Sequence, residues 1–329
     1  NKEPFHWILP GELDRLNQPS AHKEESYESI TKDYILSKAN AGEPIIAMSA
    51  ATPGVFGWNK EFREKLGTHY IDVGIAEQHA VGMASGIAKR GGKPILALMS
   101  SFVQRTYDQL SQDLALNNSP ATLLIFWGGI SGADATHLCT FDIPLISNIP
   151  NIIYLAPTCK EEYIRMLDWS VNQKEYSVAI RVPFELRYSG EEDTTNYSIL
   201  NKFKIIEQGE KIAIIALGSF FDKGREVREL IKSKLGINAT LINPRFITGV
   251  DKDMLESLKA HHSVIVTLED GELDGGFGEK ITRYYGDSSV KVLNFGARKE
   301  FTDRTPIEEL YTRYHLSNDL IVNDIQKLL

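Results

Sequence analysis

Cysteine is scarce in this chain, with two residues, Cys139 and Cys159, among 329. So few thiols exclude a disulfide-built scaffold, and their separation excludes a cysteine-rich zinc site. Both read as reduced, buried structural thiols; that explains Cys139 more simply than a Cys–His nucleophile pair with His137, two residues upstream. No run of about 18 apolar residues and no signal-peptide pattern is present, so a cytoplasmic protein without membrane contact is expected. Basic residues do not dominate, with 36 Lys and Arg against 44 Asp and Glu and a net charge of -8. Nucleic acid and anionic membranes are therefore not expected partners. No GxxxxGK[ST] occurs, and the glycines of "DGELDGGFGE" miss the GxGxxG spacing. No histidine pair has zinc-ligand spacing with a third ligand nearby, so no metal ligand is assigned, and His261–His262 reads as a solvated helix end.

What is present is ordinary globular composition, 42% hydrophobic and 24% charged, enough for about two domains of roughly 150 residues. Residues 1–24 are turn-rich and charged without periodicity, which predicts a linker or arm. From 25 to 185, apolar runs ("PIIAMSAA", "HYIDV", "KPILALMSSF", "ATLLIFWGG", "NIIYLAPT", "YSVAIRVP") alternate with helical patterns such as "AEQHAVGMASGIAK", "QRTYDQLSQDLALNN" and "CKEEYIRMLDWSVNQ". Residues 186–200 are polar and predict an interdomain linker, and a second pattern of the same kind fills 201–329. Continuously apolar strands alternating with helices predict an α/β fold of two consecutive domains, each a mostly parallel sheet covered by helices. Ligands bind such sheets outside the carboxyl ends of the strands, which here lead into "ATPGVFG", "GIAEQH", "SSFVQR" and "GGISGADATH".

One of these turns raises a question. In "DVGIAEQHA", Glu77 stands where a strand ends and a helix begins. A carboxylate there ordinarily complements the helix dipole and nothing more. The surrounding motifs, "DVGIAEQHAVGMASGIA", "SSFVQRTYDQ" and "GISGADATH" followed by "FD", resemble thiamine-diphosphate enzymes of the transketolase family, and within it the 1-deoxy-D-xylulose-5-phosphate synthases. "PFHWILPG" and "TLEDGELDGGFGEKI" extend the resemblance over nearly the whole chain.

The resemblance implies roles that spacing does not give. Glu77 would hydrogen-bond N1′ of the cofactor's aminopyrimidine and start its activation. Phe102 would stack on that ring, with Ile75 and Asp72 also at the cofactor. His137 and Asp134 would form an active-site pair, Arg105 would lie near the substrate, and His6 would approach the reacting centre from the linker. The implied chemistry is decarboxylation of a 2-oxo acid such as pyruvate and transfer of its two-carbon unit to an aldehyde such as glyceraldehyde 3-phosphate. A homodimer is implied too, with the small-residue helix "AVGMASGIA" able to pack closely.

The chain departs from the family in three ways. It has no GDG...N motif, so the half of the site that holds the diphosphate through Mg²⁺ must come from a separate subunit or another part of the polypeptide. "GADATH" is one residue shorter than the family loop, and Cys139 replaces a glycine after it. Two arginines that the family uses for the acceptor phosphate correspond to Trp127 and Phe184, leaving Arg187 as a candidate substitute. A 2-oxo acid dehydrogenase β subunit, a transketolase C-terminal subunit and a non-catalytic scaffold remain open alternatives.

Overall fold

The computed structural model describes residues 25–329, so the expected arm over 1–24, and His6 with it, lies outside the described residues. The chain first forms helix α1 (Tyr27–Asn40), started by a capping box in which Ser26 Oγ accepts the Ser29 N–H and Ser29 Oγ accepts the Ser26 N–H. The apolar runs become strands β1 (Ile45–Ser49), β2 (Tyr70–Asp72), β3 (Lys93–Met99), β4 (Thr122–Phe126), β5 (Ile152–Leu155) and β6 (Ser177–Arg181). All six are parallel, in the order β2-β1-β3-β4-β6-β5. β3, β4 and β6 are buried almost throughout, as a sheet covered on both faces requires. The covering elements are α1, α2 (Lys60–Leu66), α3 (Glu77–Lys89), α4 (Tyr107–Gln109), α5 (Asp142–Ser147) and α6 (Lys160–Asn172).

The second sheet contains β7 (Lys204–Glu207), β8 (Lys211–Ala216), β9 (Thr240–Asn243), β10 (His262–Glu272) and β11 (Lys291–Ala297), in the order β11-β10-β8-β9-β7. Only β7 runs antiparallel, against β9. Around it lie α7 (Phe221–Leu235), α8 (Lys252–Leu258), α9 (Phe277–Tyr285), α10 (Ile307–Arg313) and α11 (Asn318–Gln326).

Three local features differ from the sequence reading. The helix expected from Gln104 onward is a 3₁₀ segment over Ser100–Thr106, a single α turn, and a π segment over Leu110–Ala115. In that wider segment the Asp113 carbonyl accepts from Ser85 Oγ of α3 at 2.7 Å, so the small-residue helix packs on its own chain here. Strand β7 was not expected: it is four residues long, at a sheet edge, directly after the polar linker. His262 is not a solvated helix end but is 5% exposed at the start of β10, held by Thr240 Oγ1 at 2.8 Å and the Leu258 carbonyl at 3.0 Å. Burial lowers its pKa, which favours the neutral ring that these two partners satisfy. Both cysteines are buried and unpaired.

The two sheets meet through buried groups. Arg181, at the end of β6, reaches Asp142 Oδ2 of α5 at 2.7 Å through Nε, and Asp270 of β10 through Nη1. Tyr154 of β5 donates its hydroxyl to the same Asp142. Ile130, from the loop after β4, is buried within the hydrophobic core of the second sheet. Burying such a side chain contributes about 1.5–3 kcal/mol, so the loop after β4 is anchored by the neighbouring domain as well as by its own.

Candidate active site

The register aligns the carboxyl ends of the central strands: Met99 pairs with Phe126, and Ile125 with Arg181. The segments after β2, β3 and β4 therefore emerge along one edge. At its β2 end, Asp72 accepts from Ser49 Oγ at 2.7 Å, the Gly74 N–H at 2.8 Å and the Ala51 N–H at 3.2 Å. Its carboxylate thus ties together the ends of β1 and β2. Gly74, at φ +74°, then turns the chain toward α3. Ile75, on that turn, is 74% exposed.

Glu77 is the first residue of α3 and is 2% exposed. Its Oε2 lies 3.0 Å from Arg105 Nη1, yet among the described residues that buried oxygen has no hydrogen-bond partner. An unbonded buried carboxylate oxygen carries a desolvation cost of about 1–3 kcal/mol or more, which a donor arriving at that point would recover. Helix-dipole complementarity does not explain the orientation, because it leaves Oε2 without a donor. Arg105 sits on the 3₁₀ segment after β3 with its side chain 45% exposed, so the ion pair has one buried and one wet partner.

On the same 3₁₀ segment, Phe102 is partly buried against the first-domain core. Its ring meets the His137 imidazole edge-on, 5.6 Å between centroids and 62° between planes. His137 belongs to a compact turn after β4. Asp134 Oδ1 lies 3.1 Å from His137 Nδ1, and Thr136 Oγ1 bonds both, at 2.5 Å to Asp134 and 2.8 Å to the imidazole. Hydrogen bonds from the Thr136 hydroxyl and then His137 hold the Asp134 carboxyl down at about 2, so it is anionic at neutral pH. Cys139 Sγ donates to the His137 carbonyl at 3.1 Å rather than to the ring, and burial pushes its thiol up to about 11. It is not an activated nucleophile.

The structure thus joins Glu77 to Arg105 and Phe102 to His137, Thr136 and Asp134. It does not bring Arg187 to them: that side chain pairs with Glu185 at 2.6 Å and with Asp222 of α7 at 3.0 Å. Trp127 and Phe184, from the ends of β4 and β6, do come together, 6.4 Å between ring centroids and 33° between planes. Sequence reasoning missed the Arg181–Asp142–Asp270 network behind this edge. It also missed the role of Gly129, at φ +139°, where a Cβ would lie 2.6 Å from Asp270 Oδ2. Nothing local in the sequence marks these long-range contacts.

The residues present fit the pyrimidine end of thiamine diphosphate: a buried carboxylate oxygen awaiting a donor, and an aromatic ring two strands away on the same edge. Among the described residues, no group of three or more His, Cys, Asp or Glu side chains could hold a metal ion.

Residues 25–186 match the family described as transketolase, pyrimidine binding domain, and residues 201–321 that described as transketolase, C-terminal domain. Along the whole chain the sequence is 35% identical to a 1-deoxy-D-xylulose-5-phosphate synthase of Clostridium tetani, covering 53% of that protein. It is 34% identical to one of Lachnoclostridium phytofermentans over 94% of the chain and 50% of that protein. The chain thus spans about half the length of these curated relatives. A solved structure titled as a split gene transketolase in an inactive beta4 tetramer superposes with a TM-score of 0.76 over 91% of this chain and 96% of that one. At 18% identity, that likeness shows the fold alone. The chain belongs to the transketolase family, of which it carries the pyrimidine-binding and C-terminal domains.

Proposed function

We propose that this chain is the pyrimidine-binding half of a thiamine-diphosphate-dependent enzyme that forms carbon–carbon bonds, of the 1-deoxy-D-xylulose-5-phosphate synthase type. Its donor is a 2-oxo acid such as pyruvate and its acceptor an aldehyde. The observation that carries this reading is the buried Glu77 Oε2 without a hydrogen bond at the carboxyl edge of the sheet. The relatives at 34–35% identity favour the synthase over the dehydrogenase β subunit and over a general transketolase subunit.

Thiamine diphosphate, when bound, supplies a thiazolium carbon that can become a nucleophile toward a carbonyl. Glu77 Oε2 would share a proton with the pyrimidine N1′. Arg105 Nη1 lies 3.0 Å from that oxygen and would help hold the carboxylate in position. Phe102 would stack on the pyrimidine, and its ring meets the His137 imidazole in an edge-to-face arrangement. His137, oriented by Asp134 and Thr136, is placed to donate or accept a proton at the substrate oxygen. Ile75, exposed beside Glu77, contributes apolar surface that a bound cofactor covers. The diphosphate and its Mg²⁺ would be held by a further domain or subunit, and the assembled enzyme would be a homodimer.

On the acceptor side, the aromatic pair Trp127–Phe184 stands where a phosphate clamp would need cations, and Arg187 is engaged by two carboxylates. We therefore assign the acceptor as an aldehyde bound without a phosphate clamp at these positions. The test is steady-state kinetics of the complete enzyme with pyruvate and either glyceraldehyde 3-phosphate or glyceraldehyde. Carbon dioxide release that depends on the aldehyde supports the reaction class; no release with any 2-oxo acid and aldehyde overturns it.

A further inference from the structure

The turn that carries Asp134 and His137 is exposed on its outer side, and its own hydrogen bonds close only over Asp134 to His137. Its Ala133–Ala135 side is fixed from the second domain. The loop between β11 and α10, residues 298–306, lies along it. The Arg304 N–H donates to the Ala133 carbonyl at 2.9 Å, and Asp303 Oδ1 accepts the Ala135 N–H at 3.3 Å. A Cβ on Gly132 would meet the Thr305 carbonyl at 3.2 Å, so the two backbones run in near contact. Further along, Phe301 packs edge-on against Phe141, and the Glu272 N–H donates to the Thr140 carbonyl at 3.0 Å. Arg304 adopts φ +48°, a left-handed conformation costly for a β-carbon residue, at the point where its N–H bonds Ala133.

We propose that Asp303 and the main chain of Arg304 are positioning residues for His137, so that the second domain sets the geometry of a site it does not itself line. The Asp134–Thr136–His137 turn is held from its own domain on one side, where the Gly129 N–H and Ser100 Oγ donate to the Cys139 carbonyl and Phe102 meets the His137 ring; its Ala133–Ala135 side is bonded to the second domain. Two hydrogen bonds to the turn's main chain, one from the Arg304 N–H and one to the Asp303 carboxylate, locate that side of it from the second domain. The chemical role of His137 rests on the function proposed above; its placement does not, which makes the two separable by experiment.

The test uses the full protein with four variants: Asp303→Ala, Asp303→Asn, Arg304→Pro and Arg304→Asn. Asn at 303 retains an acceptor oxygen, and Asn at 304 retains both the N–H and a tolerance for positive φ. Pro at 304 removes the N–H and cannot adopt φ +48°. The first readout needs no cofactor. The imidazole Cε1–H resonance of His137, identified by its disappearance in His137→Gln, carries a ring-current shift from Phe102. In Asp303→Ala and Arg304→Pro it should move toward the position of a solvated histidine, while both Asn variants keep the wild-type position.

The second readout is on the assembled enzyme. Losing one or two such bonds should lower kcat/KM for the aldehyde by about twofold to tenfold each, whereas cofactor C2–H exchange, which depends on Glu77, stays at the wild-type rate. An unmoved His137 resonance in Asp303→Ala, with Arg304→Pro folded and equally unmoved, overturns the proposal. If Arg304→Pro does not fold, Asp303→Ala against Asp303→Asn decides alone. If the wild-type enzyme shows no turnover, the functional reading fails and the resonance still decides the positioning.

Discussion

Arg181 offers a sharp test of the interface between the two domains. It is one cation facing two carboxylates, Asp142 and Asp270, and all three are almost fully buried. The cluster carries a net charge of -1, and burial raises the Asp270 carboxyl against the pull of Arg181. Arg181→Met keeps an apolar stem of similar length but leaves two uncompensated buried carboxylates. Breaking a buried pair in this way costs about 3–5 kcal/mol. The cluster can escape part of that cost by taking up protons. For a carboxyl with an ordinary pKa near 3.9, each uptake costs about 4 kcal/mol at pH 7 but only about 1.5 kcal/mol at pH 5. In the variant the folded state binds more protons than the unfolded state, so its stability deficit shrinks as pH falls. Urea unfolding of wild type and Arg181→Met at pH 7 and pH 5 should therefore show a deficit smaller at pH 5 by about 2–3 kcal/mol per proton taken up. Adding Asp142→Asn and Asp270→Asn to Arg181→Met removes the stranded charges and should restore most of the loss at pH 7. A deficit below about 1 kcal/mol, or one equal at the two pH values, would refute the reasoning.

Glu269 of β10 is buried against the start of α9, where it accepts the Phe277 and Gly278 N–H groups at 2.9 and 2.7 Å. Burial lifts its carboxyl from 4.5 to about 7, so the folded state holds a proton that the unfolded state releases between these values. Stability should fall by about 3 kcal/mol as pH rises through that window; Glu269→Gln should remove this slope, and an unchanged slope in unfolding at pH 5 and 8 contradicts it. For the Glu77–Arg105 pair, a double-mutant cycle with Glu77→Gln and Arg105→Met should give a coupling of about 0.5–1 kcal/mol, limited because Arg105 is half exposed; zero coupling would mean that the pair is an accident of proximity. Trp127→Arg or Phe184→Arg should shift kcat/KM toward the phosphorylated aldehyde by about tenfold to a hundredfold if the new cation reaches the phosphate. No shift from either variant would separate this edge from the acceptor.

The sequence carries the fold because strand runs in a covered parallel sheet are continuously apolar, and "ILALM" and "LLIFW" become β3 and β4 as that pattern requires. Glu77 stands out only through the resemblance of its motif, since its spacing alone reads as a helix-start carboxylate. It does not carry β7, whose short edge run reads as linker, nor the burial of His262, which depends on Thr240 from another strand. The pairing of Arg187 with Asp222 and of Arg181 with Asp270 depends on how two domains dock, and no spacing within either domain encodes it. The same holds for Asp303 and Arg304 beside the His137 turn: they are 166 or more residues away from it in sequence.

The central claim is that Glu77 activates the cofactor, and the direct measurement is hydrogen–deuterium exchange at C2 of thiamine diphosphate bound to the assembled enzyme. Removing a positioned proton-transfer group costs about 10²–10⁴ in rate. Glu77→Gln should slow exchange by that amount while leaving the unfolding transition of the chain in place. Exchange at the wild-type rate in Glu77→Gln would contradict the claim.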